Sequence, residues 1–481
     1  MPIVAVDDTD SRERGMCTTY VGTRLAERLE AAGGRVPRRL LIRLNPAVKH
    51  KTRGNAAVAL HAADIDPETA FRIAGETVRE FAAADDPRTS PGVVVTDIDI
   101  AEADGVDIAE ADDEIPKGVA DFSRRALRER LTIEEAIALS EAHDYRHAGF
   151  GSGGANEDAT PGRGRIGALA AVGAPAILDD ATYERISYRE LDRCGTPRDV
   201  DAESVFDAAD REYPVVWDTV DRGTGEVVCV PNAPGPILHG IRGDDPDACR
   251  RVAEAIESEP VERVATFLTN QGTDAHLADG TLGELRDGAE GEPHNDTTDR
   301  LRDGAGYRVS GVVASDPETK RGGHVHVDVG ESNPGGNADS GSSAPRPALR
   351  AVAFSPTGRF RDRVRALRPG DRVTLCGEHE IRATDPGPDG SLKLEKFAVR
   401  DLVRTAPATP TCPDCRRTMS SAGRDQGYRC RDCGTAAPGK VAEPIERELE
   451  RGWYEVPPSA RRHVAKPLIR GGFDAPIHPE R

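Results

Sequence analysis

The sequence predicts a multidomain chain, α/β at its start and α+β next, that ends in a small barrel and a metal-binding ribbon. Three observations carry that reading. At 481 residues the chain is too long for one ordinary domain of ~100–200 residues. Its apolar pattern changes character near residue 180 and again near 305. Four of its nine Cys stand as two close pairs near the C-terminus.

Residues 1–179 read as mixed α/β. Ile3–Val6 is a short buried strand that runs into Asp7-Asp8-Thr9-Asp10, and a helix follows from about Thr18, with Val21, Leu25 and Leu29 on one face. Leu40–Leu44 and Asn55–Ala62 read as strands, Pro67–Ala82 and Ile133–Ala142 as helices. A Gly-rich stretch from Gly149 to Gly167 opens a helix over Ile166–Val172. Residues 180–278 alternate strands (Tyr183–Tyr188, Glu226–Val230, Arg263–Leu268) with helices (Ala202–Arg211, Asp245–Ser258), the pattern of a ferredoxin-like sandwich. An acidic, Gly-rich linker spans 279–304. In 305–405, five short strands (Tyr307–Ala314, His324–Val329, Ala348–Phe354, Arg372–Glu378, Leu392–Val399) predict a closed barrel, most economically an OB-fold. Its Gly330–Pro347 stretch reads as a disordered loop. The Cys pairs fall in 408–437, and 438–481 reads as a tail of mixed charge and Pro.

Composition narrows the function. The N-terminus has no basic region before an apolar stretch, and the longest near-apolar run, Ile166–Leu178, falls short of the ~20 residues of a membrane helix. The expectation is a soluble cytoplasmic protein with no membrane partner. Nine Cys, odd and sparse, argue against a disulfide framework. The net charge is −19, yet only eight of the 64 basic residues are Lys. Excess acid, scarce Lys and few bulky apolar residues fit a high-salt cytoplasm, where screening over ~3 Å at 1 M salt tolerates self-repulsion. A GC-rich genome favours several of the same residues. Basic residues gather locally: six between Arg38 and Arg53 with no acid, eight Arg between Arg346 and Arg372, and 14 basic against 10 acidic from Arg404 to Arg481. Local basic surface on an acidic protein is the form a nucleic-acid site takes; solvated faces are the plain alternative.

The strongest motif is Cys412-Pro413-Asp414-Cys415 with Cys430-Arg431-Asp432-Cys433-Gly434. Two such knuckles bring four thiolates to one tetrahedral Zn²⁺ and leave no open position for water, which makes the site structural. Asp7, Asp8 and Asp10 stand where a buried strand ends, a place suited to holding Mg²⁺ over a nucleotide's phosphates. From spacing alone, an Asp-rich turn with one residue capping a helix is the slightly favoured explanation. Thr18 and Thr19 open that helix, either as an N-cap or beside a bound phosphate that takes the free N–H groups. Gly162-Arg163-Gly164-Arg165-Ile166-Gly167 fits G-x-G-x-x-G but has no strand before it, so it reads as a phosphate nest or a flexible loop rather than a dinucleotide site. In the barrel, Arg359-Phe360-Arg361 offers a stacking ring between two cations, the pattern of single-strand readers, although core packing competes for the ring.

Taken in order, the motifs resemble the archaeal tRNA 2-agmatinylcytidine synthetases. The matching stretches are Asp7–Ser11, Gly15–Tyr20, Arg43–Pro46, Lys51–Asn55, Gly162–Gly164, Ile166–Ala171, Gly240–Gly243, Thr269–Asp274, Pro369–Asp371, Leu394–Lys396 and the Cys pairs. The resemblance implies four domains: an unusual ATP-dependent kinase-like domain, a ferredoxin-like domain, an OB-fold and a zinc ribbon. It implies a ligase that phosphorylates the 2-oxygen of the wobble cytidine in the CAU-anticodon isoleucine tRNA, then displaces the phosphate with agmatine, so that the anticodon reads AUA. It further implies that Asp7, Asp8 and Asp10 serve Mg²⁺ and the phosphates of ATP, and that Thr18 is self-phosphorylated. Lys51, Arg53, Gly162, Arg163, Gly164 and Gly167 are candidates for the phosphates. Asp218 and Asp274 are candidates for the dicationic agmatine, and Arg359, Phe360 and Arg361 for tRNA. Two other readings remain: a non-enzymatic single-strand-binding protein built from the barrel and ribbon, or a small-molecule kinase or ligase.

The charge balance generates a test. Folding should require molar KCl, with secondary structure lost on dialysis into dilute buffer as followed by circular dichroism. Full structure in dilute buffer would return the composition to codon bias.

Overall fold

The computed structural model describes residues 1–13, 15–49, 54–98, 114–151, 161–280, 282, 301–331, 347–381 and 390–481. The sequence-based boundary near residue 180 does not divide the sheet. One nine-stranded sheet runs through both of the first two predicted units. Its members and their companions along the chain are β1 (Ile3–Asp7), α1 (Thr18–Ala31), β2 (Arg35–Arg43), β3 (Ala56–Ala63), α2 (Pro67–Phe81), β4 (Gly92–Val95), α3 (Lys117–Ala126), α4 (Ile133–Ala142), β5 (Arg146–Gly149), α5 (Arg165–Val172), β6 (Thr182–Tyr188), α6 (Ala202–Glu212), β7 (Val216–Trp217), β8 (Val220–Asp221), β9 (Glu226–Val227), β10 (Ile237–Gly243), α7 (Pro246–Ala255) and β11 (Arg263–Thr269). The order across the sheet is β5-β4-β1-β3-β2-β11-β6-β10-β7.

β1 is apolar over Ile3–Val6 because it is buried on both faces. Ile3 and Ala5 belong to the core under α3, α4 and α5, while Val4 and Val6 belong to the core under α1 and α2. That is the two-residue alternation of a strand with both sides covered. Its neighbours β3 and β4 both run antiparallel to it. The seam with the second unit is parallel and short, Leu268 opposite Leu40 and Thr269 opposite Leu41.

Past the seam, β6 and β10 carry α7 on one face, with α6 packed beside it, through Val205, Ala208, Cys249 and Val252. β10 is a central strand that the sequence pattern conceals, because His239 and Gly240 interrupt its apolar run. The expected strand at Glu226–Val230 is only a two-residue partner of β8, off the main sheet. β4, β5 and α3 are further elements beyond the sequence-based expectation.

The barrel forms as expected. β12 (Leu277–Gly280), β13 (Gly306–Val313), β14 (Glu318–Thr319), β15 (Val325–Gly330), β16 (Pro347–Ala353), α8 (Arg359–Arg365), β17 (Arg372–Glu380) and β18 (Ser391–Asp401) follow in the chain. The ring β13-β15-β16-β18-β17 closes on itself, with β16 and β18 parallel and the other contacts antiparallel. α8 sends Phe360 and Val364, four residues apart, into the barrel core. The expected linker begins inside a strand, since β12 pairs parallel with β13, and Leu301 and Ala305 pack in the barrel core at its other end. Most of the 279–304 and 330–347 expectations lie outside the described residues.

The expected C-terminal tail is a correction. Gly452–Glu455 adds a strand antiparallel to β18, with Phe397 opposite Tyr454. Trp453, Val464, Ala465 and Leu468 form a further core with Cys376 and Ala398. These apolar residues are sparse among charges, so no run of them announces a strand. Buried Arg461 ion-pairs with Asp218 at 2.7 Å and Glu455 at 2.9 Å, and Arg470 pairs with Asp180 at 3.0 Å and Asp244 at 2.6 Å. The segment therefore fastens the barrel to the sheet.

Cys412–Cys433 lies on a small three-stranded sheet (Ser420–Ser421, Tyr428–Arg429, Ala436–Ala437), joined to the barrel by the paired strands Thr405–Ala408 and Val441–Pro444. No helix among the described residues is long and apolar enough to cross a membrane.

Trp453 is buried, donates its ring N–H to Asp474 at 2.9 Å, and carries the Lys396 ammonium over its ring. Trp453→Ala should cost about 3 kcal/mol, read as a lower urea midpoint. An unchanged midpoint would restore the free-tail reading.

Candidate active site

β1 delivers Asp7, and the chain then turns back on itself. Asp8 has a left-handed backbone (φ 56°), and Ser11 and Gly15 exchange two backbone hydrogen bonds of 2.7 and 3.2 Å. Gly15 (φ 88°) and Met16 (φ 62°) complete the turn into α1. Cys17 is the N-cap, in extended conformation, and its side chain caps nothing. Thr18 is therefore the first helical residue and not the cap that its sequence position suggests. No acidic residue occupies the first turn of α1, so the partial positive charge of this helix end is not offset from within it. The Thr9 hydroxyl donates to the Thr18 hydroxyl at 3.1 Å.

The G-x-G-x-x-G stretch forms the opposite wall, and its glycines have a steric purpose. A Cβ at Gly164 would lie 2.4 Å from the Asp7 carbonyl oxygen, and one at Gly167 would lie 1.9 Å from Asp7 Oδ2. Only glycine lets the start of α5 rest against the end of β1. Arg163 Nη2 donates to Asp8 Oδ2 at 2.6 Å. The structure thus brings together Asp7, Asp8, Asp10, Thr18, Arg163, Gly164 and Gly167, which all line one cavity of about 370 Å³.

Burial pushes the Asp7 carboxyl well above the usual carboxylate range, and the charges of Asp8 and Asp10 push it further. Burial raises Asp8 to about 6 against the opposing pull of Arg163. Crowded carboxylates that resist ionisation are what a hard divalent cation relieves. Among the described residues, however, the one cluster of three or more His, Cys, Asp or Glu ligand atoms within 4.8 Å of one another is that of the four Cys.

The rest of the cavity wall is not among the site residues expected from sequence. It includes Arg43 at the end of β2, Lys49, Asn55, Glu129, Glu184 on β6, and Arg198. Arg43 is held by partners far along the chain: its Nε donates to Gln271 Oε1 at 2.6 Å, its Nη2 to Glu184 Oε2 at 3.0 Å, and its backbone N–H to Asn270 Oδ1 at 2.8 Å. Burial pushes the Glu184 carboxyl up, but Arg242 and Arg43 outweigh it and hold the group below its ordinary value. The available signal lies in two of the matching stretches, Arg43–Pro46 and Thr269–Asp274, whose contact only the fold reveals.

The other expectations separate. Lys51 and Arg53 lie outside the described residues. Asp218 is buried against Arg461, and Asp274 takes Arg308 at 2.7 Å, Lys396 at 3.2 Å and the Lys466 backbone N–H at 2.7 Å; neither lines the cavity. Arg359 is engaged by Glu480 and by Asp221, and Arg361 donates to the Gly323 carbonyl at 2.9 Å. Phe360 is fully buried, edge-on to Phe397, and has no face for a base. The four Cys meet as expected, with Cys412 Sγ and Cys433 Sγ 3.4 Å apart, too far for a disulfide and close to the separation of thiolates around one zinc.

Comparison with known proteins agrees along the chain. Family models described as the TiaS TCKD domain, the TiaS FLD domain and the TiaS C-terminal zinc ribbon domain match residues 3–152, 162–276 and 409–449. The isoleucine-tRNA 2-agmatinylcytidine synthetase TiaS of Haloquadratum walsbyi is 50% identical over the full length of both chains. Its counterpart in Methanosarcina mazei is 39% identical over 97% of each. A crystal structure of TiaS in complex with its isoleucine tRNA and ATP superposes with a TM-score of 0.77 at 36% identity, covering 100% of this chain and 99% of the other. A complex of TiaS with the same tRNA, AMPCPP and agmatine gives 0.76 at 34%, with the same coverage.

The raised Asp8 carboxyl has a consequence for stability. Between the unfolded value of 3.8 and the folded value of about 6, the folded state binds the proton more tightly, so stability falls as pH rises through that window and stays low above it. Asp8→Asn should therefore raise unfolding stability at pH 7.5, without divalent cations, by on the order of 1–3 kcal/mol. The gain should shrink towards pH 4, where the folded wild type carries the proton. Denaturant unfolding at the two pH values checks this.

Proposed function

The chain belongs to the TiaS family of isoleucine-tRNA 2-agmatinylcytidine synthetases, and from that premise we propose that it joins agmatine to C2 of the wobble cytidine in the CAU-anticodon isoleucine tRNA, using ATP, so that the anticodon reads AUA. The observation that carries the reading is the single cavity where the aspartate loop, the uncapped start of α1 and Arg163 converge. A protein that only bound single strands would have no use for that convergence.

The chemistry divides into two displacements. First the cytidine 2-oxygen takes a phosphoryl group from ATP, which turns a poor leaving group into a good one. The primary amine of agmatine then attacks C2, the C–O bond breaks, phosphate leaves, and the amine gives up its proton. Mg²⁺ held by Asp7, Asp8 and Asp10 would neutralise phosphate charge as it develops. The Arg163 guanidinium lies beside those carboxylates and would take phosphate oxygens. The Gly162–Gly167 loop, whose Gly162, Arg163 and Gly164 N–H groups are held by Ser90, would contribute close approach rather than free donors. Lys51 and Arg53 are proposed as further cations. The α1 N-terminus, with no side-chain cap and no acidic residue in its first turn, favours an anion, which supports Thr18 as a phosphoryl acceptor. The target base must leave its stack, a small cost in an anticodon loop.

The labour divides among four units: a kinase-like unit over 1–179, a ferredoxin-like unit over 180–278, an OB-fold over 305–405 and a ribbon over 408–437 with a structural Zn²⁺. Arg416, Arg417, Arg424, Arg429 and Arg431 are exposed on the ribbon, a suitable grip for phosphates of the tRNA. An enzyme that acts on tRNA is expected in the cytoplasm.

Incubation with the unmodified CAU-anticodon isoleucine tRNA, ATP and labelled agmatine in molar KCl tests the proposal directly; incorporation that proceeds without either ATP or tRNA would overturn it. Thr18→Ala should leave the melting point nearly unmoved yet abolish threonine phosphorylation and slow agmatine transfer at least tenfold, whereas Thr18→Ser should retain both. Normal transfer by Thr18→Ala would remove the hydroxyl from the mechanism. Cys430→Ser should lose zinc, by metal analysis, and weaken tRNA binding while ATP binding survives.

A further inference from the structure

The segment Ala82–Pro91 joins α2 to β4. In the structure it touches both catalytic loops. On the aspartate side, Ala83 donates its N–H to the Thr9 carbonyl at 2.9 Å, and the Thr89 hydroxyl donates to the Asp10 carbonyl at 2.7 Å. Buried Asp86 accepts the Ser11 hydroxyl at 2.5 Å. On the glycine side, Ser90 Oγ accepts the N–H groups of Gly162 at 2.8 Å and Arg163 at 3.0 Å, and the Ser90 carbonyl accepts Gly164 N–H at 2.8 Å. The Arg88 carbonyl accepts Arg163 Nη2 at 2.9 Å.

These bonds have a common geometry. Every residue from Thr9 to Ser11 is tied to this segment, and so is every residue from Gly162 to Gly164. The segment itself is braced internally, since Asp86 Oδ1 accepts both the Arg88 backbone N–H at 3.0 Å and Arg88 Nε at 3.2 Å. The hydrogen bonds of Arg88 and Ser11 hold the Asp86 carboxyl far below the usual range, so it stays a charged acceptor. Two loops separated by about 150 residues of chain are thus set at one spacing by a third that lines no part of the cavity.

We propose that Ala83–Ser90 is a buckle that fixes the distance between the aspartate loop and the Gly162–Gly164 loop, with Asp86 and Ser90 as positioning residues for phosphoryl transfer. The inference rests on the reading of the cavity as an ATP site. Phosphoryl transfer is sensitive to such spacing, because a displacement of ~1 Å can cost about 100-fold in rate.

Ser90→Ala removes the acceptor shared by Gly162 and Arg163 and leaves the backbone bonds in place. Its kcat for agmatine incorporation should fall at least tenfold, and its affinity for a non-hydrolysable ATP analogue, by calorimetry without tRNA, should weaken severalfold. The KM for tRNA should stay within twofold. Ser90→Thr keeps the hydroxyl and should restore both readouts. Asp86→Asn, which loses the charge that braces Ser11 and Arg88, should show the same split at smaller size. The inference is overturned if Ser90→Ala turns over and binds the analogue like wild type, or if both decline only in proportion to folded protein by circular dichroism. A wild-type enzyme that incorporates no agmatine would instead refute the underlying reading, and the analogue affinities would still decide the buckle.

Discussion

The contact of α5 with Asp7 governs the catalytic face. Gly164 and Gly167 have no side chains, and so the helix can settle on the end of β1 at a distance that no other residue permits. That close packing removes Asp7 from water and raises its affinity for protons. It also brings Arg163 across to Asp8 and places the loop before α5 within reach of the Ala83–Ser90 segment. The charge and burial of Asp7 descend from two absent Cβ atoms.

The site is also a joint product of the two halves of the sheet. Leu41 and Arg43 come from β2, Glu184 and Ile186 from β6, and they line the same cavity across the β2–β11 seam. Arg43 is the clearest case, a cation of the first unit oriented by Gln271 and Glu184 of the second. The C-terminal segment then ties this assembly to the barrel through Arg461 and Arg470. Burial of the Arg461 charge is tolerable because two carboxylates face it, an arrangement that is costly to break from one side.

What can be read from the sequence depends on whether a signal is local. Asp7–Asp10 at the end of an apolar strand, the paired Cys and the five barrel strands each carry their information within a few residues, and each is legible. Strand β10 escapes such a reading because His239 and Gly240 break its pattern, although both are accommodated in a buried strand. The C-terminal strand escapes it because Trp453 and Tyr454 are two apolar residues in a charged neighbourhood. Asp218 and Asp274 look like free carboxylates in sequence, but the partner of a carboxylate is decided by tertiary contact, here Arg461 and Lys396. Phe360 looks available for stacking, yet the helix phase of α8 turns it inward. Arg43 illustrates the general limit, since its partners lie 141 and 228 residues away.

The joints of the chain differ in kind, and this bears on how such a protein can change by recombination. The β2–β11 seam is two residue pairs long but lies inside a sheet, so cutting there would bare two strand edges and open the cavity at once. Neither half could be exchanged for a foreign module and remain whole. The ribbon hangs on Thr405–Ala408 and Val441–Pro444 and keeps its own small core around Met419 and the Cys. It can be traded, lengthened or dropped by events at one two-stranded neck. Variation at the ribbon is therefore structurally cheap, while variation at the cavity has to arise by substitution within an undivided sheet.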